Sequence, residues 1–466
     1  MDTIKFGTDG WRAIIADTFT VNNVNRVAWA TAKWLQSEPL EKHCVLGYDC
    51  RFGGQLFAEE TACVLASEGI KVSLSPSFVS TPMISLAAFK MKAGAGIILT
   101  ASHNPPSYNG FKIKAHYGGP ASHAEVSKIE DLIPDSAVLV PHSLQAYLDQ
   151  GMVEYVDFES MYIEHCQYQF DMDLLQKNAP QLAYDAMYGA GQAAVRKMLP
   201  KTQFLHADYN PSFMGRAPEP IAKNLPELSD LIANTPELTC GLATDGDADR
   251  IGFFDEHGTF VDSHHLILLL IEYLTDYKGY TGKVVKSFSV SDKVQALADL
   301  KGLETITTKI GFKYICEHMV EDDVLIGAEE SGGIAIKGHI PERDGVWMGL
   351  VLMEYCAKTG KTVSQLIQDV YAKVGSFAVE RYDLHINNDL KLSIIENCKS
   401  NHYDSFGDYK ITQMEDTDGF KFRLNTGAWV MIRPSGTEPV LRVYSEAATS
   451  EEAFRILDAT QAAILN

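Results

Sequence analysis

The chain has 466 residues, 46% of them hydrophobic, which exceeds what one core serves and points to three or four domains. A net charge of −21, from 40 Lys and Arg against 61 Asp and Glu with no basic run, argues against nucleic acid as a partner. The longest apolar run, residues 266–271, is far too short to span a bilayer, residues 1–5 form no apolar leader, and the eight Cys include no Cys-x-x-Cys pair, so the expectation is a cytoplasmic protein with buried thiols, no membrane contact, no disulfides and no structural zinc.

Residues 4–15 place Gly7, Gly10 and Arg12 between apolar pairs, a strand-turn-strand pattern whose turn could approach a ligand; a surface hairpin with a solvated Arg fits equally. From residue 45 the pattern is a strand at 45–48, a loop with Asp49, Arg51, Gly53 and Gly54, a helix at 57–68 and a strand at 72–74, a parallel-sheet unit. Ser80-Thr81-Pro82 reads as a capped helix start. An apolar strand at 97–99 then leads into Thr100-Ala101-Ser102-His103-Asn104-Pro105-Pro106, which must turn because Pro removes donors and fixes backbone angles. Ser102 therefore sits on a tip, with His103 beside it and Lys112 on the re-entering strand, a setting for a serine that receives and returns a group. An ordinary turn in which Ser caps its own backbone is the plain alternative.

Two later segments repeat the theme: a strand at 182–185, Gly189-Ala190-Gly191 as a helix entry, a helix at 192–199 and a strand at 204–206; then a strand at 284–287, a helix at 292–300 and a strand at 305–307. Polar linkers are expected near 140–147, 254–262 and 373–380. The remainder, with strands at 430–432 and 441–444 and a helix at 450–465, reads as a smaller α+β domain.

Between apolar strands, Asp245, Asp247 and Asp249 alternate along one loop that ends in Arg250, and such close like charges call for a cation, most economically a divalent metal. An EF-hand would need Gly where Arg250 stands and helices where 251–254 are strand-like. A phosphatase using the first Asp as nucleophile, and a structural Asp-Gly turn, stay open on these residues alone. Farther on, Glu329-Glu330-Ser331-Gly332-Gly333 offers acceptors and a hydroxyl that suit adjacent sugar hydroxyls, or merely a solvated Gly-Gly turn. Arg433-Pro434-Ser435-Gly436-Thr437 combines a cation, two hydroxyls and a Gly-centred turn, a nest for a phosphate dianion.

The serine decapeptide at 97–106, the Asp-Gly-Asp-Ala-Asp-Arg loop, the Glu329 loop and the Arg433 loop, in that order, resemble the four motifs of the α-D-phosphohexomutase family, the phosphoglucomutases and phosphomannomutases. The resemblance spans nearly the whole chain. It implies an α/β protein of four domains, three tandem mixed-sheet α/β domains and a smaller α+β C-terminal domain, at about 1–145, 146–254, 255–373 and 374–466.

It further implies reversible transfer of phosphate between the 1- and 6-positions of a hexose phosphate, through phosphate on Ser102 and a hexose 1,6-bisphosphate intermediate. By the same resemblance Ser102, His103, Lys112 and Arg12 are catalytic, and Asp245, Asp247 and Asp249 bind Mg2+ with an oxygen at Ser102. Arg250, Lys309, Glu329, Ser331, Arg433, Ser435, Gly436 and Thr437 face the substrate. Some members carry a His where Gly333 stands, so proton transfer is expected of Lys112 and His103 here. The Glu329 loop looks more like glucose- and mannose-phosphate mutases than glucosamine-phosphate mutases. A phosphoglucosamine mutase, and after it a metal-dependent sugar-phosphate phosphatase, are the alternatives, and a monomer or homodimer is expected.

Overall fold

The computed structural model describes residues 3–7, 9–434 and 440–465, and the chain divides into two compact units, Met1–Lys283 with Gly311–Leu366 and Val284–Ile310 with Ile367–Asn466.

In the first unit a six-stranded sheet runs in the order Trp11–Ile14, Tyr108–Ala115, Ala95–Leu99, His43–Tyr48, Lys71–Leu74, Val153–Tyr155. The last four strands are mutually parallel, and the hairpin of Ala95–Leu99 with Tyr108–Ala115 adds an antiparallel edge. The inner parallel strands are buried on both faces: helices Val21–Ser37 and Gly54–Ser67 share a core with Cys44, Leu46, Ile97 and Leu99 on one face, and Ile84 of helix Thr81–Lys90 packs over Gly47 and Gly96 on the other. The helix expected after Ser80 runs Thr81–Lys90, with the Ser80 hydroxyl accepting from the Met83 N–H. No strand forms at residues 4–7; the Gly7 N–H bonds back to the Gly10 carbonyl, so the segment is a turn leading into Trp11–Ile14.

A second sheet of this unit runs Phe260–Val261, Ile251–Phe254, Cys240–Thr244, Leu182–Asp185, Gln203–Leu205. Cys240–Thr244 and Leu182–Asp185 are parallel neighbours, so the loops after their carboxyl ends meet. There the Ala190 N–H, at the entry to helix Gln192–Met198, donates to the Gly246 carbonyl. The linker expected at 254–262 holds a short strand, and the one expected at 140–147 holds the start of helix Leu144–Asp149. The unit also contains the hairpin Val324–Ala328 with Ile334–Ile336 and the apolar helix Gly345–Thr359.

The second unit contains residues 284–287 of strand Lys283–Ser287, parallel to Thr305–Thr308, and a separate six-stranded antiparallel sheet ordered Ala378–His385, Val440–Ala447, Trp429–Pro434, Phe420–Leu424, Tyr409–Glu415, Ser405–Phe406. Helix Ser450–Leu465 buries Ile456 and Leu457 in a core with Phe422, Val430 and Leu441. Four of these six strands are not among the expected elements; the linker expected at 373–380 runs into Ala378–His385, where part-buried Tyr382 and Leu384 alternate with exposed Arg381, Asp383 and His385. The described cysteines are unpaired and mostly buried, and no helix among the described residues is long and apolar enough to cross a membrane.

Candidate active site

Ser102 lies just beyond the carboxyl end of strand Ala95–Leu99, 1% exposed, in left-handed backbone geometry at φ 52°. Non-glycine residues avoid that region unless surrounding bonds impose it. The Ser102 N–H donates to Thr100 Oγ1 at 2.9 Å, and Ser102 Oγ donates to Asp245 Oδ2 at 2.7 Å. His103 Nδ1 lies 3.3 Å from Ser102 Oγ.

The acidic loop leaves strand Cys240–Thr244 and folds around Asp245, whose Oδ1 accepts the N–H groups of Asp249 and Arg250. Gly246 has to be glycine, because a Cβ there would stand 2.5 Å from the Ser102 carbonyl oxygen; this close approach brings the two loops together. Asp247 accepts from the Thr81 hydroxyl, and its own carbonyl takes the Thr81 N–H, so the helix start read at Ser80-Thr81-Pro82 abuts the acidic loop. One oxygen from each of Asp245, Asp247 and Asp249 lies within 4.8 Å of the others, and all three side chains are fully buried.

Buried like charges need a counter-ion. Lys112, from strand Tyr108–Ala115, supplies part of it: Nζ lies 2.8 Å from Asp247 Oδ2, 3.1 Å from Asp249 Oδ2 and 3.0 Å from Asp9 Oδ2. Burial works against the ammonium, yet these three carboxylates hold its pKa above the ordinary lysine value, so it is a fixed cation. Asp245, without such a contact, has its carboxyl raised well above the usual range by burial and by the neighbouring Asp247 and Asp249 charges. Burial also opposes ionisation of Asp247, but Lys112 outweighs it and holds that carboxyl below the usual range. Burial, with Arg250 and Arg12 nearby, keeps His103 well below the ordinary imidazole value and therefore neutral.

Arg12 reaches the serine loop through Nη1 to Asn104 Oδ1 at 2.6 Å, and Arg250 Nη1 lies 3.9 Å from Glu219 Oε1. The Glu329 loop joins the same region, since the Ile251 N–H, just after the acidic loop, donates to the Gly332 carbonyl. Glu329 is buried, accepts the Gly311 N–H at 2.8 Å, and has its pKa pushed by burial up to about 7, against the pull of Arg343. Ser331 is half-buried on the same turn. The first unit thus brings together Ser102, His103, Lys112, Arg12, the three Asp, Arg250, Glu329 and Ser331.

In the second unit Arg433 Nη2 lies 3.3 Å from Asp418 Oδ2, which also accepts the Ile310 N–H, so the segment of exposed Lys309 and the end of strand Trp429–Pro434 share one carboxylate. Ser435, Gly436 and Thr437 lie outside the described residues.

Pattern reading missed four charged groups. Arg343 contacts Asp9 and, at 2.7 Å, Asp249; Lys114, fully buried, lies 2.7 Å from Glu342 and 3.5 Å from Asp9. A faint signal existed in Glu342-Arg343-Asp344, three charges directly before the apolar helix Gly345–Thr359.

Four family models match the chain: Phosphoglucomutase/phosphomannomutase, alpha/beta/alpha domain I over residues 3–137, domain II over 160–258, domain III over 262–374, and the C-terminal domain over 397–463. A phosphoglucomutase/phosphomannomutase of Thermococcus kodakarensis is 29% identical over 97% of this chain and 96% of its own. A phosphoglucosamine mutase of Bacillus pumilus is 27% identical over 96% of this chain and 95% of its own. Among solved structures, a Thermus thermophilus protein assigned as a phosphomannomutase superposes with a TM-score of 0.87 at 32% identity, covering all of both chains. The open form of a Paramecium phosphoglucomutase, at 20% identity, shares the fold with a TM-score of 0.84 over 99% of this chain and 95% of its own. With three α/β domains, an antiparallel C-terminal domain and a buried acidic triad beside a serine loop, the chain belongs to the phosphoglucomutase/phosphomannomutase family and is a phosphohexomutase.

Proposed function

We propose that this phosphohexomutase moves phosphate between the 1- and 6-positions of glucose and mannose phosphates, with Ser102 as the phosphate carrier and hexose 1,6-bisphosphate as the intermediate. The observation that carries the reading is Ser102 Oγ set 2.7 Å from Asp245 at the mouth of the buried triad.

The donor set suits a divalent ion. Oδ1 of Asp247 and Oδ1 of Asp249 are buried without a hydrogen-bond partner, and unpaired carboxylate oxygens in a like-charged cluster are what a hard cation takes up. Mg2+ held by Asp245, Asp247 and Asp249 would neutralise charge on the phosphoryl oxygens.

The chain's own residues do the rest. Lys112 keeps Asp9, Asp247 and Asp249 compensated, and Arg12, anchored to Asn104 of the serine loop, offers its guanidinium to the transferring group. A sugar oxygen bonds to phosphorus as the bond to Ser102 Oγ breaks, and the sugar hydroxyl's proton ends on Oγ with His103 Nδ1 as relay. Glu329 and Ser331 read the sugar hydroxyls, and Arg433 holds the phosphate that does not react. The bisphosphate then turns end for end and returns its other phosphate to Ser102.

Glucosamine phosphate is the second reading, supported by phosphoglucosamine mutases that match over nearly their whole length. Glucosamine presents an ammonium where glucose presents a hydroxyl, and a carboxylate such as Glu329 can accept from either. Assays on glucose-, mannose- and glucosamine-1-phosphate side by side decide it. Dominant turnover of the first two supports the proposal, dominant glucosamine turnover replaces it, and phosphate released to water at the rate of turnover would make the protein a phosphatase.

A further inference from the structure

The serine loop carries two prolines, Pro105 and Pro106, which bring carbonyls but no N–H groups, so its inner face is rich in acceptors. Buried carbonyls need donors, and one side chain supplies them. The Arg51 guanidinium, 1% exposed, donates from Nη1 to the Pro105 carbonyl at 2.8 Å and the Tyr108 carbonyl at 3.0 Å. From Nη2 it donates to the Ser102 carbonyl at 2.7 Å and the Asn104 carbonyl at 2.6 Å. Its plane rests on the Phe213 ring, 5.0 Å from the ring centre. Asp49 fixes Arg51 in turn, with Oδ1 accepting the Arg51 N–H and Oδ2 lying 3.3 Å from Nε. Asp49 Oδ2 also accepts the Thr100 hydroxyl, and Thr100 Oγ1 accepts the Ser102 N–H. Ser102 is therefore held at both its N–H and its carbonyl, which is what keeps it at φ 52°.

The orientation has a chemical result. In a trans peptide the carbonyl and the following N–H point to opposite sides, and no described peptide bond is cis. Pinning the Ser102 carbonyl on Arg51 turns the His103 N–H away from the guanidinium, and among the described residues that N–H has no hydrogen-bond partner. We infer that Arg51 is the positioning residue that presets the serine loop, and that it aims the His103 backbone N–H as a donor to a phosphoryl oxygen at Ser102. The inference rests on Ser102 as the phosphate carrier. Lysine cannot replace Arg51, because a single ammonium has three donors and no planar fork to meet four carbonyls.

Arg51→Lys tests it, with kcat, KM, the melting temperature and the rate at which phosphoserine is lost to water all measured. The expected result is kcat per folded molecule about 100-fold lower with KM changed less than about threefold, since misplacement by about 1 Å has that cost and uniform binding is untouched. Phosphoserine should also partition more to water, and added guanidinium ion should partly restore Arg51→Ala. A merely structural role would lower the melting temperature and leave kcat per folded molecule and the partition unchanged, which overturns the inference. Should the Arg51 variants not fold, Thr100→Val removes the hydroxyl between Asp49 and Ser102, and wild-type kcat in that variant overturns it equally. A fully active Arg51→Lys beside an inactive Ser102→Ala refutes the positioning role alone, whereas an active Ser102→Ala refutes the carrier reading beneath it.

Discussion

Lys112 Nζ lies 2.8 Å from Asp247 Oδ2, and both side chains are wholly buried. The ammonium also touches Asp9 and Asp249, so one cation from the edge hairpin of the first sheet compensates carboxylates of the N-terminal turn and of the acidic loop. Removing one partner of such a group leaves buried charge uncompensated, which costs about 3–5 kcal/mol. Lys112→Met should therefore lower thermal stability strongly in chelator and less so in excess Mg2+, which replaces part of the lost positive charge. Equal losses in both conditions would separate Lys112 from the metal site.

Asp247→Asn removes a charge from the triad and weakens the partner of Lys112 and Thr81. Metal affinity measured by titration calorimetry should fall by at least about tenfold, with activity partly rescued at high Mg2+. Wild-type activity in chelator would refute the metal assignment.

The role proposed for Glu329 at the sugar predicts a pH dependence. Burial raises the Glu329 pKa from 4.5 to about 7, so between those values the unfolded carboxyl is ionised while the folded one keeps its proton. The folded state then binds more protons, and this group's contribution makes stability fall as pH rises through that window and level off above it. Its ability to accept from a sugar hydroxyl changes in the opposite sense. KM for the sugar phosphate should drop about tenfold between about pH 6 and about pH 8, as the ionised fraction grows. Glu329→Gln, measured at the same pH values to cancel the substrate's own titration, should abolish that slope; an unchanged slope removes Glu329 from the sugar site.

Legibility followed locality. The clustered Asp of the acidic loop and the turn at Ser102 were readable because each is marked by adjacent residues, and the helix start at Ser80 was readable because caps are local signals. The pairing of Arg343 with Asp9 was not, since the two partners are 334 positions apart and Arg343 stands in no motif. Arg51 shows in sequence as no more than one residue of a loop, because its partners are backbone carbonyls that every residue carries. The strand expected within 4–15 before the turn failed where two glycines allowed the chain to bend, and in Ala378–His385 the inward Tyr382 and Leu384 are only part-buried between charged neighbours, too short an alternation to stand out in sequence.

The role proposed for Arg433 is to hold the phosphate that does not react. The side chain is poised on Asp418 in the second unit, and Arg433→Ala should weaken substrate binding by about one to two decades, the value of a charge-assisted hydrogen bond. Ser102 should remain phosphorylatable, and free bisphosphate should accumulate as the intermediate escapes before turning. Loss of Ser102 phosphorylation with normal substrate affinity would place Arg433 at the reacting phosphate instead.

The carrier role of Ser102 is open to direct measurement by intact mass of the protein after incubation with hexose 1,6-bisphosphate, wild type beside Ser102→Ala. Wild type should gain the mass of one phosphoryl group and lose it on addition of hexose monophosphate, while Ser102→Ala should gain nothing and lack mutase activity. A Ser102→Ala protein that still takes up phosphate, or still turns over sugar phosphate at the wild-type rate, would contradict the account.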